Sequence, residues 1–166
     1  MDQEGRVGMT GLSGGCQCGA VRFRAVPSRG KAHICHCRMC QKAVGNLFAS
    51  LVDADASEVI WTRGTPATFN SSAEVTRGFC SACGTPLFYG YPGGYGLCLG
   101  AFDDPAAIPL IHESGMEGRL PQVDQIGHIP NIGTTEEDMA DEAPAIAASN
   151  RQHPDHDTDH WPPVSG

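Results

Sequence analysis

Charge is scarce in this chain of 166 residues: Asp, Glu, Lys and Arg make up 18% of it, and the basic side is thin, with 11 Lys and Arg against 19 Asp and Glu. The formal net charge of -8 leaves no basic stripe to neutralise a phosphate backbone. Nucleic acid and anionic membrane surfaces are therefore excluded as expected partners, in favour of a small molecule or a protein. Long apolar runs are also missing. Nothing approaches the ~20 apolar residues of a membrane span, so no membrane contact is expected. The opening MDQEGRVGMTGL carries an early Asp and Glu and no apolar run of signal-peptide length, and the expected location is the cytoplasm. No Ser-His-Asp order, phosphate-cradling glycine loop or HExxH motif is visible, which leaves hydrolase and nucleotide-binding functions without support.

Glycine (21 residues), proline (12) and cysteine (8) are what the chain has instead. The first two favour short strands and many turns over long helices, and the expectation is a mostly β fold. Ala20 to Val26 alternates Val21 and Phe23 against Arg22 and Arg24, the period of a strand with one buried face. Further strands are expected at Leu47 to Val52, Val59 to Trp61, Ala67 to Asn70, Val75 to Phe79, Leu87 to Tyr91 and Leu97 to Phe102, a spacing that suits layered antiparallel sheets. Arg38 to Ala43 reads as a one- or two-turn helix stopped by Gly45. Beyond Ala107 the pattern loosens. Thr134 and Glu137 form a capping-box pair, which predicts a short helix over Glu136 to Glu142 that Pro144 ends. The last fifteen residues, rich in His, Asp and Pro, are expected to stay at the surface or disordered. One domain with a tail fits this length.

Seven of the eight cysteines fall in three clusters: Cys16-Gln17-Cys18, Cys35-His36-Cys37-Arg38-Met39-Cys40, and Cys80-Ser81-Ala82-Cys83. A reducing compartment disfavours a disulfide framework, so metal or thiol chemistry comes to the front. Close cysteine pairs place two thiolates on one side of a tetrahedral zinc with little strain. The first and last clusters are each a pair followed by glycine, Gly19 and Gly84, and together supply four thiolates. Such a closed set has no room for substrate and serves folding. The middle cluster supplies three thiolates, one short of closure, as catalytic zinc sites do. An incoming thiol or hydroxyl could fill the fourth position, where zinc would lower its pKa and polarise it.

Other outcomes stay open for these residues. His36, His33 or His112 could close the middle cluster into a second structural site, although the ring of His36, between two ligands, is expected to face away. Cys37-x-x-Cys40 and Cys80-x-x-Cys83 could each be a redox pair, but the flanking βαβ pattern that would support it is absent. Cys98 stands alone in an apolar stretch and reads as a small core residue. Asp53, Asp55 and Glu58 are expected on a solvent-facing turn. The tail residues His153, Asp155, His156, Asp157, Asp159 and His160 are expected to remain solvated.

Four segments, GGCQCGAVRF (Gly14 to Phe23), CHCRMCQK (Cys35 to Lys42), GFCSACGTPLFY (Gly78 to Tyr89) and FDDPAAIP (Phe102 to Pro109), resemble the glutathione-dependent formaldehyde-activating enzyme family, also called the centromere protein V/formaldehyde-activating family, of Mss4-like fold. The resemblance covers about residues 12 to 122. It divides the chain into a leader (1–11), a zinc-binding domain (12–122) and a C-terminal extension (123–166). It implies stacked antiparallel sheets, a structural zinc on Cys16, Cys18, Cys80 and Cys83, and a catalytic zinc on Cys35, Cys37 and Cys40, two ions per chain. The implied activity is that of a carbon-sulfur lyase joining formaldehyde and glutathione as S-hydroxymethylglutathione, with the zinc holding the glutathione sulfur or the adduct's hydroxyl. After Arg119-Leu120-Pro121 the chain departs from the family, which often continues with Trp where Gln122 stands here. A rival function is a non-catalytic zinc module with a protein-binding face; it calls for a closed or empty second site and an exposed apolar patch.

Overall fold

The computed structural model describes residues 11–28 and 30–161, so the expected leader lies, except for Gly11, outside the described residues. Its regular elements are β1 (Leu12–Gly15), β2 (Arg22–Ala25), β3 (Ala32–Cys35), α1 (Arg38–Val44), β4 (Ala49–Asp55), β5 (Val59–Arg63), β6 (Ala67–Asn70), β7 (Thr76–Phe79), β8 (Pro86–Tyr91), β9 (Gly94–Cys98), β10 (His112–Ser114), α2 (Thr135–Asp138) and α3 (Ala143–Ser149). The mostly β expectation holds. Strands β1-β2-β5 form one sheet and β10-β3-β4-β9-β8-β7-β6 a second. Every pairing among the described residues is antiparallel except β10 with β3, which is parallel.

The main core lies against β2, where Phe23 is fully buried and meets Trp61 and Phe102 edge-on at ring separations of 5.7 and 5.1 Å. Gly14 lets the chain after β9 close over this ring, since a Cβ there would come within 2.6 Å of Phe23 Cζ. A second, smaller cluster of Cys40, Ala49 and Leu51, flanked by Cys35, Cys37, Tyr89 and Cys98, supports α1 on the large sheet. Each core therefore carries one of the cysteine sets on its edge.

Several expectations are corrected. The strand from Ala20 starts at Arg22, and Arg22 breaks the alternation by being only 3% exposed. Its guanidinium is charge-paired instead of solvated, lying 2.6 Å from Asp103 and 2.9 Å from Asp157. The stretch from Leu97 stops as a strand at Cys98, because Leu99 to Ala101 turns tightly and the Phe102 amide bonds back to the Leu99 carbonyl. Asp53 and Asp55 are on β4, not on a turn; only Glu58 lies in one. Pro144 opens α3 instead of ending a helix, a position in the first turn where its missing amide costs nothing. The Thr134–Glu137 capping box forms as expected and starts α2.

The tail is corrected most. Its residues 152–161 lie back against the turn holding Cys16 and Cys18. The His153 amide donates to the Gln17 carbonyl (2.7 Å) and Trp161 Nε1 to the Cys18 carbonyl (2.6 Å). Asp157 accepts from Arg22 and Arg24, and Thr158 accepts from Arg63. His153, expected to be solvated, is 7% exposed and packs on Trp161. Burial raises the affinity of Asp157 for its proton, but Arg22 and Arg24 outweigh it and hold its carboxyl below the ordinary range. A depressed folded pKa stabilises above the ordinary carboxylate range, and that contribution is lost as pH falls through the lowered value. The tail should thus release in acid, below about pH 4, and Asp157→Asn should release it at neutral pH. Hydrogen exchange at the His153 amide reads this out; unchanged protection in Asp157→Asn would mean that the ion pairs do not hold the tail.

Candidate metal centres

The first cysteine set joins two turns. Cys16 and Cys18 sit between β1 and β2, and Cys80 and Cys83 between β7 and β8, so the set ties the small sheet to the large one. Gly19 (φ 74°) and Gly84 (φ 79°) take the left-handed conformation that closes each turn. Their amides bond back to Cys16 and Cys80, and the Val21 amide points at Cys16 Sγ (3.3 Å). The four sulfurs lie within 4.8 Å of one another. Cys18 Sγ is 3.6 Å from Cys16 Sγ and 3.8 Å from Cys80 Sγ. A metal–sulfur distance near 2.3 Å makes the edge of a sulfur tetrahedron about 3.8 Å. The donor set therefore suits such an ion.

Charge points the same way. Burial pushes the Cys16 thiol up to about 12. Burial also acts on Cys83, but hydrogen bonds from the Thr85 hydroxyl and from the Thr85 and Cys18 amides outweigh it and bring that thiol down to about 6. Cys16 is thus unfavourable as a thiolate on its own, and a bound cation would supply the charge that lets it ionise.

The second set is built on one loop and one helix. Cys35 ends β3, Cys37 caps α1 by accepting the Cys40 amide on its sulfur (3.3 Å), and Cys40 lies one turn in. The three sulfurs lie within 4.8 Å of one another. They form one wall of an open cavity of about 470 Å³ whose other walls include Leu51, Asp53, Arg77 and Tyr89. Burial raises Cys35, but the Cys37 amide and the Cys40, Cys37 and Ser114 side chains outweigh it and leave it below its ordinary value. Burial pushes Cys40 up to about 12 against the opposing pull of Arg77.

Among the described residues no His, Asp or Glu joins either set. His36 faces away from the sulfurs, fully buried, with Nε2 3.2 Å from Glu113 Oε1. His33 and His112 stack on each other at 5.1 Å, on adjacent strands, instead of completing the cluster. Cys98 is in neither set; it is half-buried against both core clusters, and burial raises its thiol to about 12.

Two residues that sequence reasoning missed hold the cluster in place. Gln41, buried in α1, donates to the carbonyls of His36 and Gly118, both at 2.8 Å, and pins the cysteine loop to the chain beyond β10. Arg77 is 9% exposed, with Nη2 3.6 Å from Cys40 Sγ and its guanidinium over the Tyr89 ring at 4.6 Å. Among the described residues no carboxylate pairs with it. A buried cation is costly without an anion beside it, and Cys40, the cysteine it touches, would supply one when a bound metal draws off its proton. Its only signal in the sequence is its place one residue before GFCSACG.

Residues 11–113 match the family described as glutathione-dependent formaldehyde-activating enzyme. The chain belongs to that family. Curated relatives match part of the chain. A Halomonas elongata protein under the provisional name glutathione-dependent formaldehyde-activating enzyme is 36% identical over 86 residues, covering 46% of this chain and 54% of its own. An uncharacterized lyase of Schizosaccharomyces pombe is 28% identical over 86 residues, 52% of this chain and 62% of its own. This member of the family thus spans somewhat more than half the length of the curated relatives it matches. A crystal structure of a Rhodobacter sphaeroides protein shares the fold, with a TM-score of 0.52 at 22% identity over 61% of this chain and 99% of that one.

Proposed function

We propose that this chain is a zinc-dependent carbon-sulfur lyase acting on a glutathione-type thiol adduct, in the manner of S-hydroxymethylglutathione synthesis. Cys16, Cys18, Cys80 and Cys83 would hold a structural zinc, and Cys35, Cys37 and Cys40 a catalytic one, within a domain over residues 12–122. The observation that carries the proposal is the contrast between the two cysteine sets. Four sulfurs are largely enclosed by the core and the tail, whereas three line an open cavity with no fourth protein ligand among the described residues. Zinc bound there would supply Lewis acidity and a lowered pKa for a thiol or hydroxyl.

The chain's own residues do the rest. In the condensing direction a carbon–sulfur bond forms between the thiol and the aldehyde carbon, and the proton lost from sulfur ends on the former carbonyl oxygen. Arg77 places positive charge beside the sulfurs, which favours their anionic forms. Leu51 and Tyr89 give the cavity an apolar wall that limits competing water.

A non-catalytic binding module is the second reading, supported by Ile126, Ile129 and Ile132, which are 53%, 65% and 71% exposed on one segment. Metal analysis joined to the visible spectrum of the cobalt-substituted protein separates the two. The enzyme reading expects two ions per chain and an absorption that shifts on adding thiol. Two sites of four sulfurs each without added thiol would sink it, as would an aldehyde and thiol screen with no turnover.

A further inference from the structure

Beside the three-cysteine cavity runs a second depression of about 560 Å³ that shares Met39 and Arg77 with it. Arg38, Lys42 and Arg77 line it, over Phe69 and Phe79. Three cations in one groove stand out in a chain with 11 Lys and Arg against 19 acidic residues, all the more because Arg22, Arg24 and Arg63 are engaged by the tail and Arg119 by Asp124. Among the described residues no Asp or Glu lines the groove.

Helix geometry explains how the two depressions meet. At about 100° per residue, Cys37 and Cys40 fall on one side of α1, while Arg38 and Lys42, four apart, lie together on the next face. Met39 lies beyond them, and it lines both depressions. Like charges four apart repel on a bare helix. Among the described residues Arg38 bonds only the neutral Gln41 amide oxygen (3.2 Å), and Lys42 has no ion pair. Phe69, on edge strand β6, is 64% exposed and gives the groove an apolar floor that water covers poorly.

We infer that this groove takes the carboxylate-bearing part of a peptide-like thiol whose sulfur reaches the three cysteines. Arg38 and Lys42 receive the carboxylates, Phe69 and Phe79 contact the backbone of the ligand, and Arg77 marks the passage into the cavity. Selection is then electrostatic and separate from the reacting sulfur. The inference rests on the proposed function, since it assumes that a thiol enters the cavity.

The test uses the cobalt-substituted full chain, titrated with glutathione, glutathione diethyl ester and 2-mercaptoethanol while the thiolate absorption is followed. Glutathione should bind on the order of tenfold more tightly than its ester, and the preference should shrink at high salt. In Arg38→Glu/Lys42→Glu the ratio of the two affinities should fall to about one or reverse. Equal affinities in the natural protein, or an unchanged ratio in the double variant, would overturn the groove assignment while leaving thiol binding in place. No spectral response to any of the three thiols would overturn the proposed function and the inference with it.

Discussion

A Cys80→Ser protein is expected to lose its cooperative thermal transition altogether. Cys80 is 1% exposed, its sulfur lies 3.8 Å from that of Cys18, and the four-cysteine set joins the small sheet to the large one. Structural zinc contributes about 10–16 kcal/mol of apparent binding free energy to folding. The net stability of a domain is only about 5–15 kcal/mol. Losing one ligand of four, and burying a hydroxyl in place of a sulfur at a further cost of about 1–3 kcal/mol, therefore removes enough to unfold the chain. Circular dichroism during heating, with metal content measured on the same sample, checks this. A variant that melts within a few degrees of the natural protein would show that the set is not what holds the sheets together. Acid should act in the same direction, because the Cys16 thiol, raised to about 12 by burial, must give up its proton when metal binds.

That set was legible in the sequence because its logic is local: two close pairs, each followed by a glycine, each able to offer two sulfurs to one ion. The strands with strict alternation or dense β-branched residues were legible for the same reason. What escaped depends on partners far along the chain. Arg22 reads as the exposed member of an alternating strand, and only the arrival of Asp103 and Asp157, the latter 135 residues away, makes it a buried one. The tail reads as solvated from composition, yet Arg24 and Arg63 on neighbouring strands offer it guanidinium groups, and Trp161 finds the Cys18 carbonyl. Strands β1, β3 and β10 escaped because LSGG, AHIC and HES carry no run of β-branched or aromatic residues. Arg77 belongs to no cysteine motif, and its place against Cys40 follows from the pairing of β7 with β8.

The three-cysteine set should respond in the opposite way to the four-cysteine one. Cys37→Ser is expected to fold with a melting temperature close to that of the natural protein, to bind one metal ion in place of two, and to turn over at background. The structural half follows from the cap. Cys37 Sγ accepts the Cys40 amide at the start of α1, and serine is among the best residues for that position. The side chain is partly exposed and belongs to the small cluster around Ala49 and Leu51, so little core packing is lost. The chemical half follows from ligand count. Two thiolates and a neutral hydroxyl bind zinc far more weakly than three thiolates, and without the ion the charge stabilisation it supplies is gone, a loss on the order of 10³-fold in rate or about 4 kcal/mol. Cys37→Ala keeps the chemical defect and adds the lost cap, about 1 kcal/mol, so the pair separates the sulfur's two duties. Circular dichroism, metal analysis and turnover on both variants decide the matter. Turnover surviving in Cys37→Ser with a single metal ion would move the chemistry away from these three sulfurs, and unfolding of Cys37→Ser would make the second set structural like the first.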